Sequence, residues 1–392
     1  MDYKATIQYI ETKKGLNHDL NQYRQWLNEQ LPDHTQLPKI QVGGTNGKGS
    51  TVAWMNQLLS YQGVKIGVFT SPHLVTHRER IRIGKTMISE DDWMRIYQQY
   101  EAFFEKENLT MFEIDLWMAM AYFLEQKVDI ALIEVGLGGR LDATTALDYN
   151  LVMITNVGLE HCAILGDTIE QISYEKAGIF KPGYVALTTE TKPNAKKVME
   201  QVAGYMGTLL GFVEIPFKET DDHQVIFEWQ DHTYVLHPPK YQIYNLSLAL
   251  EGLNYLGYTL KPDCVQSVID HFHWAGRFTI ARKDPLIILD GAHNKEGIEA
   301  LVASLGHFDG HIYFSVLKDK KAKEMLNVLE TLHCPITLVS MDTARLYDLQ
   351  TLNYPIINEK QLMVELQNTK DRALVCGSLY FIGDFYKAFT NK

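Results

Sequence analysis

The stretch GGTNGKGS, Gly43 to Ser50, decides how this chain is read. It follows a short apolar run, Ile40-Gln41-Val42, and precedes an apolar helix-like stretch, Thr51 to Leu59. Strand, glycine-rich turn, lysine and helix start together form an apparatus for holding a nucleotide phosphate. The glycines let backbone N–H groups close around phosphate oxygens. The helix N-terminus favours negative charge, and Lys48 adds a point charge. The common form of this loop places Ser or Thr directly after the lysine. Here Gly49 stands between Lys48 and Ser50, and the first spacing is short. A bare glycine-rich run can be a simple strand-to-helix turn, but the lysine and both flanking elements stand where phosphate binding needs them.

The rest of the chain alternates in the same manner. Residues 2–32 read as one or two polar helices, and Val64 to Thr70 as a second apolar strand. Ser89 to Glu105 and Phe112 to Gln126 read as helices. Asp129 to Val135 and Asn150 to Thr155 have the near-continuous apolar character of strands buried on both faces. The fold class expected is α/β: a mostly parallel sheet in a phosphate-loop ATPase domain, then a smaller, Rossmann-like α/β domain. Glu214 to His237 alternates and suggests a small antiparallel insert. After a break around Trp274 to Lys283, strands at 286–289, 311–315, 336–340 and 373–376 form the second unit. The boundary is placed so that residues 1–277 form the ATP-binding domain and residues 278–392 the C-terminal domain.

Composition narrows the function. The 392 residues allow two or three domains with their own cores. A formal net charge of -11 argues against nucleic acid as a main partner and leaves small anionic substrates open. The four cysteines, Cys162, Cys264, Cys334 and Cys376, are too dispersed for a zinc site or a disulfide framework. Met1-Asp2-Tyr3-Lys4 lacks the apolar core of a signal peptide, and no run reaches the ~18 apolar residues of a membrane span. A cytoplasmic protein with no membrane partner is expected, and a monomer.

The GTNGKGS spacing resembles the ATP loop of the Mur ligase superfamily, in particular folylpolyglutamate synthase and dihydrofolate synthase. The family's other motifs follow in order: TSPHL (Thr70 to Leu74), ERI (Glu79 to Ile81), EVGLGGRLDAT (Glu134 to Thr144), EKAGIFKPG (Glu175 to Gly183), DGAHN (Asp290 to Asn294) and GSLYFIG (Gly377 to Gly383). The resemblance implies a ligase of folate biosynthesis and one-carbon metabolism. Such an enzyme uses ATP and Mg2+ to activate a carboxylate on folate or dihydropteroate, and L-glutamate attacks the acyl phosphate. Two alternatives stay open: a catalytically impaired nucleotide-binding regulatory homologue, and a Mur-type ligase acting on another carboxylate. The peptidoglycan ligases carry a whole domain ahead of the ATP loop, whereas only 43 residues precede Gly44 here.

Residue roles follow from the resemblance. Gly47, Lys48, Gly49 and Ser50 would hold the nucleotide phosphates, with Lys48 also catalytic. Ser71, Glu134 and His161 would be the metal ligands. Read alone, Ser71 before Pro72 is a turn residue and His161 a hydrogen-bonded turn histidine. Glu134, closing an apolar run before Gly136, Gly138 and Gly139, is harder to dismiss, because a buried carboxylate without a partner is costly. Lys176 looks like the lysine that the family carboxylates with CO2. Read alone, it is a surface lysine beside Glu175. Phe112, Glu113, Ile114 and Asp115, with Leu141, Asp142 and Ala143, match the segments that hold the pterin-containing substrate. An aromatic ring beside a carboxylate suits a flat heterocycle with amino donors, although Phe112 serves a core helix equally well.

The basic stretch His77 to Arg82 could face anionic glutamates or be a solvated charged face. Asn245, Arg277 and Asp290 match nucleotide contacts that depend on domain closure, with His293 a catalytic candidate beside Asp290. The chain departs from the family at Glu160 (Asp before the histidine), at Tyr241 (His before Gln242), and at Lys321 (the second Asp of a Lys-Asp-Lys-Asp run). Gly15 to Leu20 lacks the usual arginine.

Overall fold

Short buried runs of four or five residues make the inner strands, and the computed structural model describes residues 2–15, 17–220, 224–237 and 239–390. By the contacts along the chain, it divides into two units, residues 1–216 with 243–269 and residues 217–242 with 270–392.

In the first unit the strands are β1 (Lys39–Gly43), β2 (Ile66–Phe69), β3 (Ile81–Ile83), β4 (Thr86–Met87), β5 (Ile130–Glu134), β6 (Leu151–Ile154), β7 (Val185–Thr188) and β8 (Leu209–Phe212). They form one sheet in the order β4-β3-β2-β5-β1-β6-β7-β8. Every pairing is parallel except β2 with β3 and β3 with β4. β1 thus lies between β5 and β6, where the connections diverge to either side, and the crevice beyond its C-terminal end is where open parallel sheets bind ligands.

The helices of this unit are α1 (Tyr3–Thr12), α2 (Leu20–Gln30), α3 (Lys48–Tyr61), α4 (Glu90–Lys106), α5 (Met111–Glu125), α6 (Cys162–Leu165), α7 (Ile169–Ala177), α8 (Pro193–Met206), α9 (Gln242–Tyr255) and α10 (Pro262–Asp270). α5 is apolar nearly all round, as a helix enclosed on most sides must be. Thr110 and Glu113 close its start as a reciprocal capping box. It packs closely on β2: a Cβ added at Gly67 would come within 2.6 Å of the Phe123 ring. On its other side Trp117 meets Phe103 at a ring separation of 4.8 Å and Tyr23 at 6.1 Å. Fully burying each such side chain contributes roughly 1.5–3 kcal/mol. The Tyr23 hydroxyl donates to the Glu113 carbonyl at 2.6 Å and the Met111 N–H to the Lys13 carbonyl at 2.9 Å. The first two helices are therefore part of the packing around α5.

In the second unit β9 (Phe217–Glu219), β10 (Val225–Trp229) and β11 (His232–Leu236) form the antiparallel insert that the alternation foretold. Residues 221–223 of that insert lie outside the described residues. A six-stranded sheet follows, in the order β12-β13-β17-β14-β15-β16. Its strands are β12 (Thr279–Lys283), β13 (Leu286–Asp290), β14 (Gly310–Phe314), β15 (Ile336–Ser340), β16 (Ile356–Asn358) and β17 (Arg372–Cys376). Only β12 runs antiparallel. Its helices are α11 (Lys295–Leu305), α12 (Ala322–Leu329), α13 (Glu359–Asn368) and α14 (Leu379–Thr390). No helix among the described residues is long and apolar enough to cross a membrane.

Candidate active site

Gly43 to Ser50 turns from β1 into α3 with the geometry a phosphate loop needs. Gly44 (φ 135°) and Gly47 (φ 89°) adopt backbone conformations that side chains disfavour. Both are also hemmed in. A Cβ at Gly44 would lie 1.9 Å from Thr155 Oγ1, and one at Gly47 2.2 Å from Asn245 Oδ1. Gly47 caps α3, so Lys48, Gly49 and Ser50 open its first turn, where backbone N–H groups point out of the helix end. The loop after β6 braces the arrangement. Thr45 N–H donates to the Asn156 carbonyl (2.8 Å), Asn46 N–H to Asn156 Oδ1 (2.9 Å), and Thr155 Oγ1 to the Asn46 carbonyl (2.6 Å). The sequence reading took Thr155 only as the end of a strand and gave neither it nor Asn156 a role, since polar residues after a strand carry no signal of their own.

A recess of about 290 Å³, partly open to solvent, lies beside this loop. It is lined by Gly44, Thr45 and Lys48, by Val135 to Gly138 after β5, and by Glu160, His161, Leu165 and Lys176. The structure thus brings Lys48, His161 and Lys176 to one place from three separate motifs. Lys176 is not a surface lysine: α7 buries it to 4% exposure, and its Nζ donates to the Gly44 carbonyl at 2.8 Å. Burial, then the nearby Lys48 cation, pull its pKa down to about 7. The neutral amine is accordingly well populated near neutral pH.

Glu134 ends β5 with 5% exposure, and its Oε2 accepts the Ser71 N–H at 3.1 Å. β2 and β5 are paired in parallel, which brings the Ser71 loop to that carboxylate. His161 sits at the start of α6 in a left-handed conformation, φ 53°. Among the described residues no three His, Cys, Asp or Glu side chains converge into a metal cluster. Magnesium does not need one, because it keeps several waters and uses one or two carboxylates together with substrate phosphates. The oxygens of Glu134 and Ser71 suit it.

The segments matched to the organic substrate divide by exposure. Phe112 packs against Phe69 (5.6 Å between rings), and its ring lies 2.5 Å from where a Gly136 Cβ would stand. Leu141 is 62% exposed, whereas Ile114 and Ala143 are buried. The three carboxylates are buried and engaged. Asp142 accepts from Leu137 N–H and from Thr144, and burial raises its pKa against those hydrogen bonds. Glu113 accepts from Thr110 and from His18 N–H at 2.7 Å. Asp115 meets His77 Nε2 at 2.7 Å and Arg80 Nη1 at 3.5 Å. His77 and Arg80 are thus buried partners of Asp115, while Arg82 Nη2 donates to Thr70 Oγ1. In the Gly15–Leu20 segment, where Leu16 lies outside the described residues, Asn17 Nδ2 donates to the Leu141 carbonyl at 3.1 Å.

Asn245 lies on α9 with 6% exposure. In the second unit Asp290 ends β13, and His293 Nδ1 lies 2.8 Å from the Gly291 carbonyl. Arg277 occupies the turn before β12, its Nη1 donating to the Gly276 carbonyl at 3.2 Å.

The profile of the Mur ligase middle domain matches residues 42–254. A dihydrofolate synthase/folylpolyglutamate synthase of Bacillus subtilis is 32% identical over 418 aligned positions, spanning 96% of both chains. The chain belongs to the folylpolyglutamate synthase/dihydrofolate synthase family of Mur ligases. Family membership joins motifs that the sequence spreads over more than 300 residues, and the shared fold extends through both units. The Escherichia coli FolC structure in complex with DHPP and ADP superimposes with a TM-score of 0.88 at 27% identity, over 100% of this chain and 98% of that one. A bifunctional folylpolyglutamate synthase/dihydrofolate synthase with Mn, AMPPNP and L-glutamate bound gives 0.87 at 27% identity, over the same shares.

Proposed function

We propose that this protein is an ATP-dependent ligase joining L-glutamate to a carboxylate on a folate or dihydropteroate, with amide, ADP and phosphate as products. The observation that carries the reading is the recess where the phosphate loop, His161 and the buried Lys176 amine face one another. The ligands named for its structural relatives, a nucleotide with Mn and L-glutamate in one and ADP with DHPP in another, support it.

In this reading Gly47 to Ser50 hold the phosphates through the backbone, and Lys48 leaves its carbonyl partners Gly44 and Thr45 to meet the transferring phosphoryl group. Glu134 and Ser71 would hold Mg2+, with His161 on a further ion or water. When bound, the metal supplies charge neutralisation on the phosphates. A carboxylate oxygen of the organic substrate attacks the γ-phosphorus and ADP leaves. The glutamate amine then attacks the acyl carbon, phosphate departs and the amine nitrogen loses a proton. Phe112 and the Leu141–Ala143 segment would receive the heterocycle.

Lys176 is proposed to be carboxylated. Its neutral amine adds to CO2, a proton leaves, and the resulting anion can face a cation instead of crowding Lys48. Asn245, Arg277, Asp290 and His293 are proposed to complete nucleotide binding and catalysis. The test is ADP release with ATP and magnesium, with and without a pteroate-type acceptor plus glutamate. Release that needs both substrates supports the ligase. Nucleotide binding without such turnover would favour the regulatory alternative.

A further inference from the structure

The structure gives Tyr241 a specific partner. Its hydroxyl donates to Asp290 Oδ2 at 3.1 Å. The same carboxylate, 2% exposed, accepts the Phe278 N–H on Oδ2 at 2.7 Å and the Ala292 N–H on Oδ1 at 2.7 Å. Phe278 (φ 49°) is left-handed although it is not glycine, and Gly276 (φ 73°) is left-handed two residues earlier. Such a conformation at a phenylalanine persists only where its surroundings hold it. Asp290 supplies that hold through the Phe278 N–H. Gly276 N–H donates to Thr279 Oγ1 at 3.0 Å, and Gly291 N–H to the Gly276 carbonyl at 2.8 Å. The residue between the two left-handed positions is Arg277. Its Nη1 would be 2.5 Å from any Cβ at position 291, so Gly291 leaves the channel in which the guanidinium lies.

We infer that Tyr241 is a positioning residue: by donating to Asp290 it holds the 276–278 turn, and with it the Arg277 guanidinium, in the conformation used on the nucleotide. The inference rests on the nucleotide role proposed above for Arg277. Phenol and imidazole share what this position requires, a planar ring with one polar hydrogen at its far edge. A histidine should therefore serve in place of the tyrosine.

The experiment is calorimetric titration of magnesium-AMPPNP into the wild type, Tyr241→Phe, Tyr241→His, Arg277→Ala and the Tyr241→Phe/Arg277→Ala double variant, with thermal melting of each. Tyr241→Phe is expected to bind about three- to tenfold more weakly, since one hydrogen bond to a charged group is lost while two backbone donors remain. Its melting temperature should fall by a few degrees at most, since the same bond contributes to folding, and the variant stays folded at the titration temperature. Tyr241→His should regain most of the affinity. In the Arg277→Ala background the tyrosine change should have no further effect, because a residue acting through another is not additive with it. Wild-type affinity in Tyr241→Phe, or an additive loss in the double variant, overturns the inference alone. A wild-type protein that binds no nucleotide overturns the ligase reading and the inference with it.

Discussion

Lys48 and Lys176 donate to the same acceptor, the Gly44 carbonyl, at 3.1 and 2.8 Å. Two cationic side chains from a loop and a distant helix converge on one oxygen, and a conserved charge on both would be costly at that distance. Burial, with the Lys48 cation adding to it, pulls the pKa of Lys176 down to about 7.

For Lys48→Ala, ADP release in single-turnover assays should fall by about 10²–10³, the loss typical of one group that stabilises developing charge. Far-ultraviolet circular dichroism should be unchanged, because the Lys48 amine donates to carbonyls of its own loop, Gly44 and Thr45. Near-normal turnover in the folded variant would remove the phosphate-loop assignment.

Lys176→Ala should be nearly inactive, and acetate or formate should restore part of the activity by filling the anion position. Lys176→Arg should not substitute, since it keeps the charge a carbamate removes. Carbon-13 NMR of the wild type in labelled bicarbonate should show a carbamate resonance that is absent from Lys176→Ala. No such signal under saturating CO2 would rule the modification out.

Glu134→Gln and His161→Ala should each shift the magnesium titration of activity to higher concentration, because each removes a ligand. An unaltered magnesium response in both would mean that the metal site has been misplaced.

Lys321 occupies the N-cap of α12 without a capping hydrogen bond, with its positive charge at the wrong end of the helix dipole. Lys321→Asp should stabilise the protein by about 0.5–2 kcal/mol. Urea unfolding followed by circular dichroism measures it, and a destabilised variant would contradict the capping argument.

His34, 2% exposed, has its pKa lowered to about 4 by burial and then by the Lys39 cation. Between pH 6.5 and 4 the unfolded chain binds a proton there that the folded chain does not. Stability should therefore fall as the pH drops through that window and level off below it. Its Nε2 lies 2.9 Å from Asn28 Oδ1, so His34→Gln can keep that contact and should flatten this part of the pH profile. An identical profile in the variant would assign the acid sensitivity elsewhere.

The inner strands were legible because buried parallel strands are written as unbroken aliphatic runs, as in Ile130 to Glu134. The strands toward the two ends of the sheet were not. Thr86–Met87 is too short for any period, and Val185–Thr188 lies in a polar neighbourhood. At the site, glycine and lysine spacing revealed the phosphate loop directly. The burial of Lys176 was invisible, since its neighbours in sequence, Glu175 and Ala177, say nothing of the Gly44 carbonyl more than 100 residues away. The burial of His77 and Arg80 was hidden for the same reason: their partner Asp115 belongs to a different helix.

The helices ahead of the phosphate loop pack on α5, and the segment between them bonds to Leu141 and Glu113. On the proposed reading, what shapes the acceptor side is kept apart from what handles phosphate. Residues 2–38 hold neither the Gly43–Ser50 loop nor Lys176 nor any proposed metal ligand, yet Asn17 and His18 bond to both stretches matched to the heterocycle. Exchanging that opening stretch between relatives would be a graft that retunes acceptor choice and leaves the energy-coupling step untouched.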